Sequence, residues 1–458
     1  MLGAVFERFV EKSPISVLVR AALERVLGAD RLDLWSERTA QKQYTRDLLF
    51  SSVYDLMNQV VFCVQPSVRA AYQSHQTDVG TSLVSVSNKL NGIETHTAAE
   101  LVRYSAREFA PLIKPMGGER APWLAGYRGK IVDGNGLEAS EHRMKALREA
   151  TGRAWPGKAL VVDEPALGAV TDVFPCENGH AQERSRFGAV LDTVEAGDLW
   201  IEDRNVCTRA FLCEIDQRGA FCVTRAHQGL PCEILTPLRS YGRTPTGQVA
   251  QQRVCVVEAH GHQHIFRRLR LKVHEATRDG ATILHILTHV PRQVAAPQVA
   301  ERYRKRWTLE TAFKHLEAYC HSAINTLGYP KAALFGFCLA LVASNLLAVV
   351  SAALRRVHGE EMVDEEVSLY SIANEITTTY HGMMIAIPEP EWDVFYAMST
   401  ADLAAIWVEL AQGVRLQAFR KSPRRPKKPH PQGKKPARKG HVATAKLLMN
   451  RKANLVTP

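Results

Sequence analysis

The chain has 458 residues, 46% of them apolar, enough to bury a sizeable core in two or three domains. Its formal net charge is +11, yet of 58 Lys and Arg and 47 Asp and Glu, 13 basic and no acidic residues fall in 420–458, which leaves the rest of the chain at −2. A uniformly basic body is thereby excluded: the positive charge is a tail, and any basic groove elsewhere must come from local clustering.

From the start, MLGAVFERFVEKSP places Glu7 and Glu11 where a secretory signal needs an unbroken apolar stretch, so a cytoplasmic protein is expected. Residues 1–120 read as an N-terminal helical domain. Apolar residues recur every three to four positions over Ile15–Leu27, Gln43–Val60 and Ala98–Ile113, with Pro66, Pro111 and Pro115 as punctuation.

From about residue 126 the period changes. Strands are expected over Gly129–Asp133, Ala159–Val162 and Val170–Phe174, then a helix near Arg184–Val194, a strand over Leu199–Asp203, a helix near Cys207–Asp216 and a strand over Ala220–Thr224. Two of these strands end alike: Lys130–Asn135 runs apolar residues into Asp133 at a Gly-Asn turn, and Asp198–Asn205 runs them into Asp203 before a polar turn. Carboxylates at strand ends sit where an α/β sheet opens to ligands. A β-rich stretch follows, with Val249–Glu258, Ile265–His274 and Ile283–His289 alternating as a meander. Within it, His260, His262 and His264 alternate around Gly261 and read as exposed turn histidines, since a zinc site would need further ligands nearby.

The segment Glu301–Glu317, ERYRKRWTLETAFKHLE, puts Tyr303, Arg306 and Glu310 on one helical stripe. Arginine gives a forked, permanent phosphate contact, and glutamate a hard oxygen ligand for a divalent ion. Three acids from separate elements, Asp133, Asp203 and Glu310, can hold two Mg²⁺ ions, with Mn²⁺ as a substitute. Such a pair activates an attacking oxygen and stabilises the leaving oxygen of a phosphodiester. On spacing alone, Glu310 and its basic neighbours also fit a solvated face of surface salt bridges.

Ala332–Leu354 holds 23 residues without a charge, long enough to cross a bilayer. Gly336, Ser344, Asn345 and Ser351 interrupt it, and it is read as the buried helix of a large core, with no membrane partner. Arg420–Gly440 mixes basic residues with five prolines and reads as a disordered tail that binds phosphate backbones by counterion release. A short helical turn is expected over Ala443–Met449, docked on the body. The nine cysteines are scattered without C-x2-C spacing and read as reduced structural thiols. No P-loop or GxGxxG cluster appears, so neither ATP nor a dinucleotide is indicated.

The chain resembles a bacterial insertion-sequence transposase of the DDE type, in the IS-four family marked by Y-x2-R-x3-E-x6-K. Tyr303, Arg306 and Glu310 match that motif, and Asp133-Gly134-Asn135 and Asp203-Arg204-Asn205 match the family's first and second acids, 70 residues apart, with Glu310 a further 107 on. The motif lysine is absent: Glu317 holds its position, and Lys314, one turn after Glu310, is the candidate substitute. The resemblance implies a ribonuclease-H-like (retroviral-integrase-like) α/β mixed sheet with acids on its first and fourth strands. That catalytic domain would span 121–360, with a β-rich insertion at about 229–290 holding a distorted DNA end, often through a stacking aromatic. Tyr241, Phe221 and Phe266 are the aromatics available for that role. A C-terminal helical region would span 361–419 and the tail 420–458, and the N-terminal domain would recognise DNA ends. The implied activity is cleavage at terminal inverted repeats and strand transfer into target DNA, by at least a dimer on DNA. Catalysis would fall to Asp133, Asp203 and Glu310 as metal ligands, with Tyr303, Arg306 and Lys314 at phosphates. A metal-dependent nuclease without joining, or an inactive DNA-binding remnant, are the alternatives.

Overall fold

A computed structural model describes residues 3–41, 48–277, 280–304, 306, 316–317, 319–422 and 440–456. The N-terminal part is helical: Ala4–Lys12, Pro14–Leu27, Ala29–Thr39, Phe50–Val61, Val68–Ser74, Gln76–Val79, Leu83–Gly92 and Thr95–Met116 (α1–α8). Pro111 and Pro115 lie inside α8 rather than ending it. Both sit on its exposed side, where water can satisfy the carbonyls left without donors, while Phe109, Leu112, Ile113 and Met116 keep the buried stripe. The helix stops at Gly117, whose φ of +66° is the left-handed conformation that glycine adopts without penalty.

The strands Arg128–Gly136 (β1), Arg153–Trp155 (β2), Lys158–Glu164 (β3), Ala169–Cys176 (β4), Asp198–Glu202 (β5) and Phe221–Arg225 (β6) follow, with helices Lys145–Arg148 (α9), Phe187–Leu191 (α10) and Arg209–Gln217 (α11) among them. β4, β3 and β1 pair antiparallel, and β5 and β6 add in parallel beyond β1, giving the order β4-β3-β1-β5-β6.

The β-rich stretch is not a separate layer. Glu233–Ile234 (β7), Arg239–Thr244 (β8), Gly247–Val257 (β9), Gln263–Val273 (β10) and Ile283–Thr288 (β11) extend the same sheet, with β11 pairing antiparallel to β6 to give ten strands in all.

Strand alternation separates two faces. One carries Trp200, Val132, Phe174 and Phe266 beneath α10 and α11. The other carries Ile131, Ile201, Val223 and Ile286 beneath Ala296–Arg304 (α12). On the second face β3 and β4 meet α8 and the 29-residue helix Pro330–His358 (α13). α13 is the apolar stretch expected to be buried, and 24 of its residues are. One core unites α13 with the N-terminal helices and the later helices Glu360–Glu366 (α14), Leu369–Ala386 (α15), Asp393–Ala397 (α16) and Thr400–Gln412 (α17).

Near the C-terminus, His441–Ala443 (β12) pairs in parallel with β2, and Thr444–Val456 (α18) packs against α9. Residues 423–439, most of the expected disordered stretch, lie outside the described residues.

Candidate active site

Register places the first two acids. In the parallel pair β1–β5, Ile131 stands opposite Ile201, so Asp133 and Asp203 are each two residues further on and return to the face beneath α12. Asp203 follows the last residue of β5 and closes an Asx turn: its Oδ1 accepts from the N–H groups of Asn205 (2.7 Å) and Val206 (3.3 Å). Its carbonyl accepts from Thr224 Oγ1 on β6 at 3.0 Å. Asp133 Oδ1 accepts from the Gly134 N–H at 3.0 Å.

Tyr303 on α12 and Arg306, in a turn two residues past the end of that helix rather than on one continuous helical stripe, reach the same place. Arg306 is buried, with Nη1 3.4 Å from Asp133 Oδ2. Tyr303 is buried too, and its phenol is pushed up to about 12, first by burial and also by the Asp203 charge, against the pull of Arg306 and Arg225. At neutral pH it is therefore a neutral hydroxyl. Asp203, Arg204, Asn205, Arg225, Leu284, Tyr303 and Arg306 line a cleft of about 150 Å³. Glu310 and Lys314 lie outside the described residues.

Glu317, standing where the motif has lysine, accepts a hydrogen bond from Ser322 Oγ and is absent from the cleft lining. Of the aromatics considered for stacking, Phe266 is core, Phe221 packs on Tyr127 and His289, and Tyr241 is 51% exposed.

The structure adds groups that the sequence reading passed over. Arg225 ends β6, one strand beyond Asp203; applying the strand-end argument to β6 would have found it. The Glu183 carboxylate lies against Gly134, where a Cβ would collide with it, and Arg184 Nε donates to Asn205 O at 3.3 Å. Their segment therefore packs against β1 beside Asp133 and against the turn after Asp203, a long-range contact with no local signal. Glu202, beside Asp203 in sequence, points to the opposite face. It is fully buried and neither oxygen finds a partner among the described residues. Burial, aided by the Asp203 charge, raises its carboxyl well above the usual range.

The alternating histidines divide: His260 and His262 are exposed, but His264 is buried, its Nδ1 2.7 Å from Asp216 Oδ2. His264 is the first of these on β10 and takes its inward-facing position. The nine cysteines are free thiols.

Asp133 and Asp203, each two residues past the Ile131–Ile201 pair on the same face of the sheet, supply hard oxygen donors, the ligand type that Mg²⁺ takes. Among the described residues, no three groups of metal-ligating type converge.

Residues 125–346 match the family model described as the transposase DDE domain. The match supports a DDE transposase. That matched stretch runs from just before β1 into α13 and contains every cleft residue named above. No curated protein matches the chain. Among solved structures, a cryo-EM structure of the piggyBac transposase synaptic complex with hairpin DNA is similar, at 9% identity over 85% of this chain and 84% of that one, with a TM-score of 0.37.

Proposed function

We propose that the chain is a DNA transposase that cuts at the terminal inverted repeats of its own element and joins the freed end to target DNA. The observation carrying this reading is the placement of Asp133 and Asp203, each two residues beyond the Ile131–Ile201 pair of the parallel strands β1 and β5, within a stretch matching the transposase DDE domain. The strand order β4-β3-β1-β5-β6, three antiparallel strands followed by two parallel ones, supports a ribonuclease-H-like reading of the sheet. The tyrosine and arginine of the signature support the narrower IS-four assignment.

In this reading Asp133, Asp203 and Glu310 would hold two Mg²⁺ ions. The ions would supply charge neutralisation at the scissile phosphate and an activated oxygen nucleophile. The chain's own contribution is positional. Arg306, held against Asp133, presents a planar fork suited to a phosphate. Tyr303 stays protonated and donates rather than repels. Arg225 and Arg204 make the cleft electropositive beside the acids, so an incoming phosphodiester meets fixed counter-charge rather than reorganising water. The helices of 1–120 would recognise the element's end, and at least two copies would act on a pair of ends in the cytoplasm.

The test is cleavage of a labelled element-end duplex in Mg²⁺ by wild type, Asp203→Asn and Glu317→Lys. Nicking by wild type that Asp203→Asn reduces to background is expected. Equal nicking by Asp203→Asn would overturn the site. Cleavage without joining would make the chain a nuclease. Silence of wild type alongside cutting by Glu317→Lys would identify a transposase disabled at the position where the motif has lysine.

A further inference from the structure

One face of β8–β11 holds a basic surface that the cleft does not use, its basic residues coming from β8, β10 and β11. On β10, Arg268, Arg270 and Lys272 alternate onto the face opposite α12. Arg270 stands across from His285 of β11, and Lys272 across from Gln248 of β9, which in turn faces Arg243 of β8. Arg243, Arg270, Lys272 and His285 are exposed and Arg268 is half-buried. The residues paired with them on this face are Ser240, Gln248, Ala250, Gln252, Ile283 and Leu287, none acidic. Among the described residues, Arg243, Arg270 and Lys272 form no ion pair.

We infer that this face of β8–β11 is a docking surface for the phosphate backbone of duplex DNA outside the catalytic cleft. Burial, and then Arg268 and Arg270, hold the His285 imidazole below its usual value, so His285 stands opposite Arg270 as a neutral ring and the positive charge of this face is that of its arginines and lysine. Cations that guard an edge strand against aggregation explain β8, but β10 is an interior strand, so edge protection does not account for its cations. Successive cations on β10 stand about 7 Å apart, and the row spans roughly 13 Å, too long for one phosphate and suited to a run of them. A duplex presents a charge every ~3.4 Å along each strand. The acids open on the other face, so DNA lying here would be the part of the duplex leading to or from the cut.

This inference rests on the transposase reading, and one experiment separates their failures. Binding of a fluorescent element-end duplex is measured over a salt series for wild type, for Arg270→Ala/Lys272→Ala, and for a control, Arg356→Ala/Arg415→Ala, two exposed arginines outside both the cleft and the N-terminal helices. Each lost phosphate contact lowers the log–log salt slope by about 0.9. The β10 double variant is therefore expected to lose about 1.8 of slope, with the control unchanged and Mg²⁺-dependent cutting retained at saturating protein. Arg270→Lys, keeping the charge, should keep the slope. A β10 variant with wild-type slope, or a control that loses as much, overturns the surface while leaving the transposase reading intact. A wild type that binds no duplex overturns both.

Discussion

Glu202 and Asp203 are consecutive carboxyls that meet opposite environments because side chains alternate across a strand. Asp203 is held by two backbone N–H groups at the cleft, whereas Glu202 is sealed among apolar side chains with no partner found. A buried carboxyl whose affinity for its proton is raised favours folding while the unfolded chain is also protonated. That contribution is lost as pH rises from the ordinary glutamate range through the raised value. Glu202→Gln should therefore melt higher than wild type at pH 7.5, with the gain shrinking toward pH 4; an unchanged melting temperature at pH 7.5 would mean that the carboxyl has a partner in solution. Arg306 faces the reverse situation, a buried cation beside Asp133. Arg306→Lys keeps charge but loses the fork, and cleavage should fall on the order of 10²-fold with little change in melting temperature. At this scale the sequence was informative where chemistry follows a local pattern: Asp203 directly follows β5 as read, whereas Asp133 lies inside β1, whose pairing with β3 carries the strand through the expected Gly-Asn turn to Gly136. Glu183 and Glu202 were not legible, because one depends on a distant contact and the other on which face a strand turns inward.

Among the elements, the strands were the easiest to read, since alternating burial writes period two into much of β9 and β10, while β1 is a short apolar run buried on both faces. What alternation does not encode is the partner. The β-rich stretch looked like an inserted meander, and only the pairing of β11 with β6 makes it one sheet with the acid-bearing strands. The relative register of β1 and β5, which aligns the two acids, is set at their far end by a buried ion pair. Lys130 Nζ lies 2.7 Å from Asp198 Oδ2 with both side chains nearly inaccessible, and Lys130 also lies over the Trp200 ring. Lys130→Met should destabilise the fold by about 3–5 kcal/mol, because it strands a buried carboxylate, and Lys130→Met/Asp198→Leu should recover most of that loss. Denaturant unfolding of both variants checks it; an undiminished loss in the double variant would assign the effect to packing.

For the molecule as a whole, α13 is the organising member, and the polar residue that seemed to interrupt it explains how. Asn345 is fully buried. Its Oδ1 accepts from Val170 N–H at 2.7 Å, and its Nδ2 donates to Val170 O and Ser105 Oγ, both at 2.9 Å. The amide thus stands in for a missing neighbour at β4, the edge of the sheet, and ties that edge to α8. Asn345→Leu, though more apolar, should lose about 1–3 kcal/mol for each backbone group left unsatisfied, read as a lower denaturant midpoint; a midpoint at or above wild type would show water replacing the amide.

The same position of α13 has a consequence in time. Helices α1–α8 end at Met116, but the helix that covers their apolar faces begins at Pro330. Synthesis at 5–20 residues per second leaves those faces uncovered for roughly ten to forty seconds on the ribosome. The strands of the sheet are synthesised during that interval, and the N-terminal helices can close around α13 only after the cleft-bearing strands have been made.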